Sequence, residues 1–276
     1  MLTRNKDKTI DKYSSSPNYR ILKNTETLES NERLKEDERV FTYERYSEEI
    51  HPPIKIESVG TEILNKEYHR CLDMPLRLAG SEEYRLPEEW WGLQELIESI
   101  ISLEHHHNPN WIEYNTYLTI DCKEVDPEEQ QRHGGLHVDG FQGERILKKT
   151  KVNRNYVATT NGGTRFYPQR FVVADPKYFN VFMGFDLQAE DFIIAEPDTV
   201  YFMDAYSVHE SGFAEFKGLR TFIRLTYDVK EFDRLGNTHN SAIDYSWDMV
   251  ERNVHDSVTR PKLTDIEKSP YFPNPS

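Results

Sequence analysis

Cysteine is nearly missing from this chain: Cys71 and Cys122 are the only two in 276 residues. That excludes a disulfide framework and a Cys-type zinc site. Long apolar runs are missing too. No stretch approaches the roughly 20 residues a helix needs to cross a bilayer, and residues 1–16 hold no apolar segment of the signal-peptide kind. Positive charge is in deficit, with 34 Lys and Arg against 48 Asp and Glu, a net charge of −14. Proteins that grip nucleic acid over a wide surface are usually basic, because neutralising phosphates drives that binding. These absences argue against a secreted disulfide scaffold, a membrane protein and a general nucleic-acid binder. They leave the expectation of a protein of a reducing cytoplasm. Strand–helix–strand alternation is missing as well, which excludes a Rossmann-type sheet.

Aromatic residues are plentiful: 14 Phe, 16 Tyr and 4 Trp. Each buries a large apolar area, so together they can build one sizeable core. Their distribution divides the chain. Residues 1–85 read as a polar, partly disordered N-terminal extension, with 1–16 a tail. Residues 86–230 read as a β core with a packing helix, and 231–276 as a C-terminal extension with a short helix near 241–253. The packing helix is predicted over 87–104, where Trp90, Leu93, Leu96, Ile97, Ile100 and Leu103 recur at three- and four-residue spacing. Asn108-Pro109 ends it.

From Trp111 to Val229 the pattern turns to short strands rich in Tyr, Phe, Val, Ile and Thr. They are predicted near 112–121, 134–139, 154–160, 164–168, 170–174, 179–185, 191–195, 199–204 and 219–228. Asn161-Gly162-Gly163 marks a hairpin turn between two of them. The fold class expected is mainly β with flanking helices: a sandwich, barrel or jelly roll.

The chemistry concentrates in three places. In His137-Val138-Asp139 the two polar side chains share one face of a strand, because strand side chains alternate with period two. His209 follows an apolar strand 72 positions later, far enough for the chain to return beside the first. Two His and one carboxylate on one face form the facial triad of non-haem Fe(II) oxygenases. Eleven residues beyond His209 comes Arg220, and Arg224 follows on the same strand face. A guanidinium turned into a core is costly without an anion or equivalent partner, and it matches a carboxylate through two parallel hydrogen bonds.

The set His137-x-Asp139, His209 and Arg220 resembles the Fe(II)- and 2-oxoglutarate-dependent dioxygenases. Gly162-Gly163-Thr164-Arg165-Phe166-Tyr167-Pro168 is similar to a strand of their prolyl-4-hydroxylase-like branch, and Asn115-Thr116-Tyr117 to the Asn-x-Tyr of their AlkB-like branch. The resemblance spans residues 111–229. It implies a double-stranded β-helix, the jelly roll of that family, with Fe(II) held by His137, Asp139 and His209. It also implies 2-oxoglutarate anchored by Arg220 with help from Asn115 and Tyr117, O2 as the second cosubstrate, and hydroxylation with release of succinate and CO2.

Several readings stay open. Arg224 either reaches an anionic substrate or pairs with an acidic neighbour such as Asp139. The basic run of Arg145, Lys148, Lys149, Lys151 and Arg154 either draws an anionic substrate, with Lys148 and Lys149 at its centre, or is a solvated loop. His105-His106-His107 reads as a helix C-terminus favoured by the dipole, not as a metal cluster. A small, possibly anionic, metabolite or amino-acid-like molecule is the leading substrate class. Protein side chains and nucleotides are alternatives, and a non-catalytic metal-binding jelly roll is the alternative of another kind. Oligomeric state cannot be read from the sequence.

Overall fold

The structure, a computed structural model, describes residues 19–23, 34–35, 40–130, 136–139, 151–171 and 192–251. Its elements in chain order are β1 (Tyr19–Leu22), α1 (Arg45–Glu48), β2 (Ile54–Ser58), α2 (Thr61–Leu64), β3 (Cys71–Arg77), β4 (Tyr84–Pro87) and α3 (Gln94–His107). There follow β5 (Asn115–Val125), β6 (Arg154–Thr159), β7 (Arg165–Phe166), β8 (Ile193–Ile194), β9 (Thr199–Asp204), β10 (His209–Glu210) and β11 (Gly218–Asp228).

Two antiparallel sheets carry the architecture. The major sheet has the order β2-β9-β6-β11-β5-β3, and the minor sheet β10-β7-β8. An antiparallel bridge between His137 and His209 adds the 136–139 segment beside β10. From β5 onward the chain alternates between the sheets, by way of the 136–139 segment, β6, β7 with β8, β9, β10 and β11. That winding is a double-stranded β-helix, the jelly roll expected.

Period-two alternation sorts β11 between two cores. Ile223, Leu225 and Tyr227 join Leu118, Ile120, Tyr156 and Phe202 under α3. Phe222 points the other way and packs with Val157, Tyr201 and Met203, and across the gap with Phe166 and Ala195 of the minor-sheet side. A third cluster combines Val138, Tyr167 and Val208 with Phe41 and Tyr46 of the N-terminal segment. Each of these three residues neighbours one that faces the gap.

The helix differs from the expectation at its start. Pro87 closes β4, and Glu88–Leu93 form a 3-10 helix before α3 begins at Gln94. The indole N–H groups of Trp90 and Trp91 donate to His69 O and Leu86 O, at 3.0 and 3.2 Å, which ties this tighter turn to neighbouring backbone. At its other end α3 is pinned to the major sheet. Arg154 Nε donates to both Glu104 oxygens at 2.7 and 2.9 Å, and Tyr156 Oη donates to Glu104 Oε2 at 2.6 Å.

Much of the segment expected to be an extension belongs to the sheets. β2 and β3 are the two edge strands of the major sheet. Tyr46 is buried, and its hydroxyl donates to Ala205 O at 2.5 Å. The 1–16 tail and the strands expected near 179–185 and over most of 170–174 lie outside the described residues. The helix expected near 241–253 is not formed in its described part, which turns at 241–243, continues to Glu251 without helix and makes a parallel bridge from Val250 to Arg234. Asn240 decides this locally. Its amide donates to Pro75 O and Arg85 O at 2.8 and 2.9 Å, while its Oδ1 accepts from Ala242 N at 3.0 Å, an Asx-type turn that competes with helix.

Candidate metal centre

His137 and His209 stand directly opposite on neighbouring strands. Each backbone N–H donates to the other's carbonyl at 2.9 Å, so both rings leave the sheet on one face, with centroids 4.4 Å apart. Asp139, two residues along, emerges on that same face. The ligand atoms of His137, Asp139 and His209 all lie within 4.8 Å of one another, and the three form the one group of this kind among the described residues.

The ring of His209 is oriented by its own neighbour. Its Nδ1 lies 2.8 Å from Ser207 O, so that nitrogen carries the proton and Nε2 presents a lone pair. Burial, and next the proximity of His137, push the His209 ring down to about 4, which keeps it neutral at pH 7 as a ligand must be. Burial alone would raise the Asp139 carboxyl. The Arg224 guanidinium, with His209 and His137, outweighs that and holds it well below the usual carboxylate range.

Arg224 is the charge on which the centre turns. Nη1 donates to Asp139 Oδ2 at 2.5 Å and Nη2 to Asp73 Oδ1 at 3.0 Å. Of the two readings open for Arg224, the acidic neighbour is the one seen. Asp73 is reached because β3 bulges against β5: Cys71 pairs with Ile120 and Met74 with Leu118, one residue too many on the β3 side. Asp73 sits in that bulge at φ +47°. Thr119 holds it there, accepting from Asp73 N at 3.1 Å and donating to Asp73 Oδ1 at 2.9 Å. Asp73 was not anticipated; its only trace in the sequence is a lone acid in the otherwise apolar run Cys71-Leu72-Asp73-Met74.

The other expected residues fall differently. Arg220 is buried and turned to the same face of β11, but its described partners are backbone carbonyls: Nε donates to Asn161 O, and Nη2 to Gly162 O at 2.8 Å. Asn115 accepts from Ala79 N at 2.9 Å and donates to Lys230 O at 3.1 Å. Tyr117 Oη donates to Lys230 O at 2.6 Å and accepts from Phe232 N at 3.2 Å. In this structure that pair ties the chain leaving β11 back onto β5. Lys148 and Lys149 lie outside the described residues. The basic run is in any case divided: Lys151 pairs with Glu113 at 2.8 Å, and Arg154 is buried against Glu104 under α3. His105 is not a cation at a helix end. It stacks on Trp111 with centroids 3.7 Å apart, and burial, then Arg77, push it down to about 4.

No family model matches the sequence, and no curated protein does. Solved structures to which the chain is similar include EvdO2 from Micromonospora carbonacea var. aurantiaca complexed with 2-oxoglutarate, at 13% identity, a TM-score of 0.29, and 42% of this chain covered. The chain spans about half of that protein, 51% of its length. AviO1 from Streptomyces viridochromogenes Tue57 is similar at 12% identity and a TM-score of 0.37, over 67% of this chain and 92% of that one. An oxidoreductase of the 2OG-Fe(II) oxygenase family from Burkholderia pseudomallei is similar at 10% identity and a TM-score of 0.30, over 68% and 77%. These likenesses assign no activity to this chain. Among the described residues no helix is long and apolar enough to cross a membrane.

Proposed function

We propose that this chain is an Fe(II)- and 2-oxoglutarate-dependent oxygenase that hydroxylates a small metabolite or amino-acid-like molecule in the cytoplasm. The observation that carries the reading is the His137–Asp139–His209 face, whose ligand atoms lie within 4.8 Å of one another. The donor set fits Fe(II). Two imidazoles and one carboxylate make the facial triad that leaves three coordination positions for cosubstrate and oxygen. When bound, the metal would activate O2, the four-electron oxidant, with 2-oxoglutarate giving up two electrons as it is cleaved to succinate and CO2 and the substrate the other two as it is hydroxylated.

The chain's own residues prepare the site. Ser207 O fixes the His209 tautomer and aims Nε2. Arg224 keeps Asp139 ionised and takes up one of its oxygens, turning the carboxylate. Arg220 is the residue assigned to the far carboxylate of 2-oxoglutarate, held in place by the carbonyls of Asn161 and Gly162. An anionic substrate loses the support of Arg224, since two carboxylates already share that guanidinium.

The test is anaerobic loading of the purified protein with Fe(II) followed by 2-oxoglutarate. A visible charge-transfer band is expected, absent in His209→Ala and needing at least tenfold more 2-oxoglutarate in Arg220→Ala. Iron bound to folded wild-type protein without such a band would exclude this cosubstrate and favour a non-catalytic metal-binding jelly roll.

A further inference from the structure

A cavity of about 200 Å³ lies between β3 and the segment 232–249 that follows β11. That is smaller than the roughly 300–1,000 Å³ of pockets for drug-sized ligands, and it suits one end of a small molecule. Asp73, Phe232, His239, Tyr245 and Trp247 are among its lining residues, and among the described residues no Lys or Arg lines it.

The aromatic walls are braced. Phe232 stacks on Tyr117 at 3.9 Å with planes 5° apart, and Trp247 lies 6.0 Å from the same ring. Tyr245 and Trp247 are 4.5 Å apart, and the Tyr245 hydroxyl lies 2.9 Å from His239 Nδ1. Among the described residues the one carboxylate in the lining is Asp73, whose side chain is 5% exposed. Its Oδ1 takes both the Thr119 hydroxyl and Arg224 Nη2, while Oδ2 accepts no hydrogen bond among the described residues. An oxygen of a largely buried carboxylate that opens on a cavity is free to accept from a donor seated there. Ring faces attract cations, and a desolvated carboxylate adds an opposite charge. An anion would face the Asp73 carboxylate, and an apolar group would give Oδ2 no donor.

We propose that this cavity binds a small organic cation, an alkylammonium group that donates to Asp73 Oδ2 between the rings of Phe232, Tyr245 and Trp247. If the metal centre is the oxygenase described above, on which this clause rests, the ammonium is one end of the substrate. The Arg224 guanidinium joins Asp73 to Asp139, so the substrate's charged end would sit one guanidinium width from a metal ligand.

Three probes of the same chain length decide it on the full chain at neutral pH: n-butylammonium, 1-butanol and butyrate, followed by tryptophan fluorescence and calorimetry. Saturable binding of n-butylammonium is expected, at least tenfold tighter than 1-butanol, with butyrate weaker still. Asp73→Asn should erase the preference for the cation over the alcohol, and Trp247→Leu, at a half-exposed position, should weaken the cation three- to tenfold. Equal binding of 1-butanol or butyrate, or no saturable binding of any probe, would overturn the proposal, and the wild-type series alone decides this if Asp73→Asn does not fold. Cation binding without the 2-oxoglutarate band would sink only the oxygenase reading, and the band without cation binding only this one.

Discussion

Arg224 and Asp139 form a largely shielded ion pair at 2.5 Å, and the other terminal nitrogen of Arg224 holds Asp73 at 3.0 Å. One cation thus serves two carboxylates that come from opposite sides of the jelly roll, one a candidate metal ligand and the other the acid of the neighbouring cavity. A bound divalent ion would relieve this arrangement by adding positive charge on the Asp139 side.

Arg224→Met should therefore be costly without metal and less so with it. Removing the cation leaves the buried carboxylate of Asp73 and the partly buried one of Asp139 uncompensated, at about 3–5 kcal/mol. Urea denaturation with and without anaerobic Fe(II) reads both numbers. A loss below about 1 kcal/mol in the metal-free protein would contradict the pairing.

Gly212 and Gly163 are required by backbone contact. A Cβ on Gly212 would lie 1.8 Å from Gly163 O, and one on Gly163 would lie 1.9 Å from Ala195 O. Neither carbonyl can yield without parting strands of the minor sheet. Gly212→Ala should lower the melting temperature sharply and weaken metal binding with it, since His209 is three residues away. Gly80→Ala meets nothing within 4 Å and only an unfavourable φ of +82°. It should cost about 1–2 kcal/mol and leave the metal bound. Equal effects of the two substitutions would contradict the close approach.

Glu104 is fully buried, with Arg154, Tyr156 and Asn108 all bonded to its carboxylate. Glu104→Gln leaves Arg154 facing a neutral amide and should destabilise by about 3–5 kcal/mol. Glu104→Leu combined with Arg154→Met should recover a large part of that, because the whole pair is then replaced by apolar atoms. Chemical denaturation of the three proteins measures the recovery.

His105 sets a pH dependence away from the metal centre. Its folded value of about 4 lies below the ordinary imidazole range, through burial and then Arg77. Between about pH 6.5 and 4 the unfolded chain takes up a proton there that the folded chain refuses. Stability from this group is thus full above that window and declines as pH falls through it. His105→Phe keeps a ring against Trp111 and removes the titration, so its melting temperature should fall less steeply across that window. Parallel curves for the two proteins would show that His105 titrates normally.

The parts legible in the sequence were those with a local period. Strands β6, β7, β9 and β11 stand within a residue or two of where alternation of apolar residues put them, and the same alternation sets Arg220 and Arg224 on one face of β11 with Ile223 and Leu225 on the other. His137-x-Asp139 is legible for the same reason, since two residues in a strand share a face whatever surrounds them. The edges β2 and β3 were not legible. An edge strand of five to seven residues carries too short a pattern, and charged neighbours such as Lys55 and Glu57 made the segment read as polar.

By itself, then, the sequence determined the core strands, the packing helix and the residues able to hold a metal, because periodicity and residue chemistry act over a few neighbours in the chain. Only the tertiary structure decided who meets whom across long separations. It set His209 opposite His137, and it brought Asp73 to Arg224 through a β-bulge. It also turned Asn115 and Tyr117 toward the chain beyond β11. Those contacts depend on sheet order, register and one extra residue in a strand, quantities fixed by how the whole core packs and written in no local pattern.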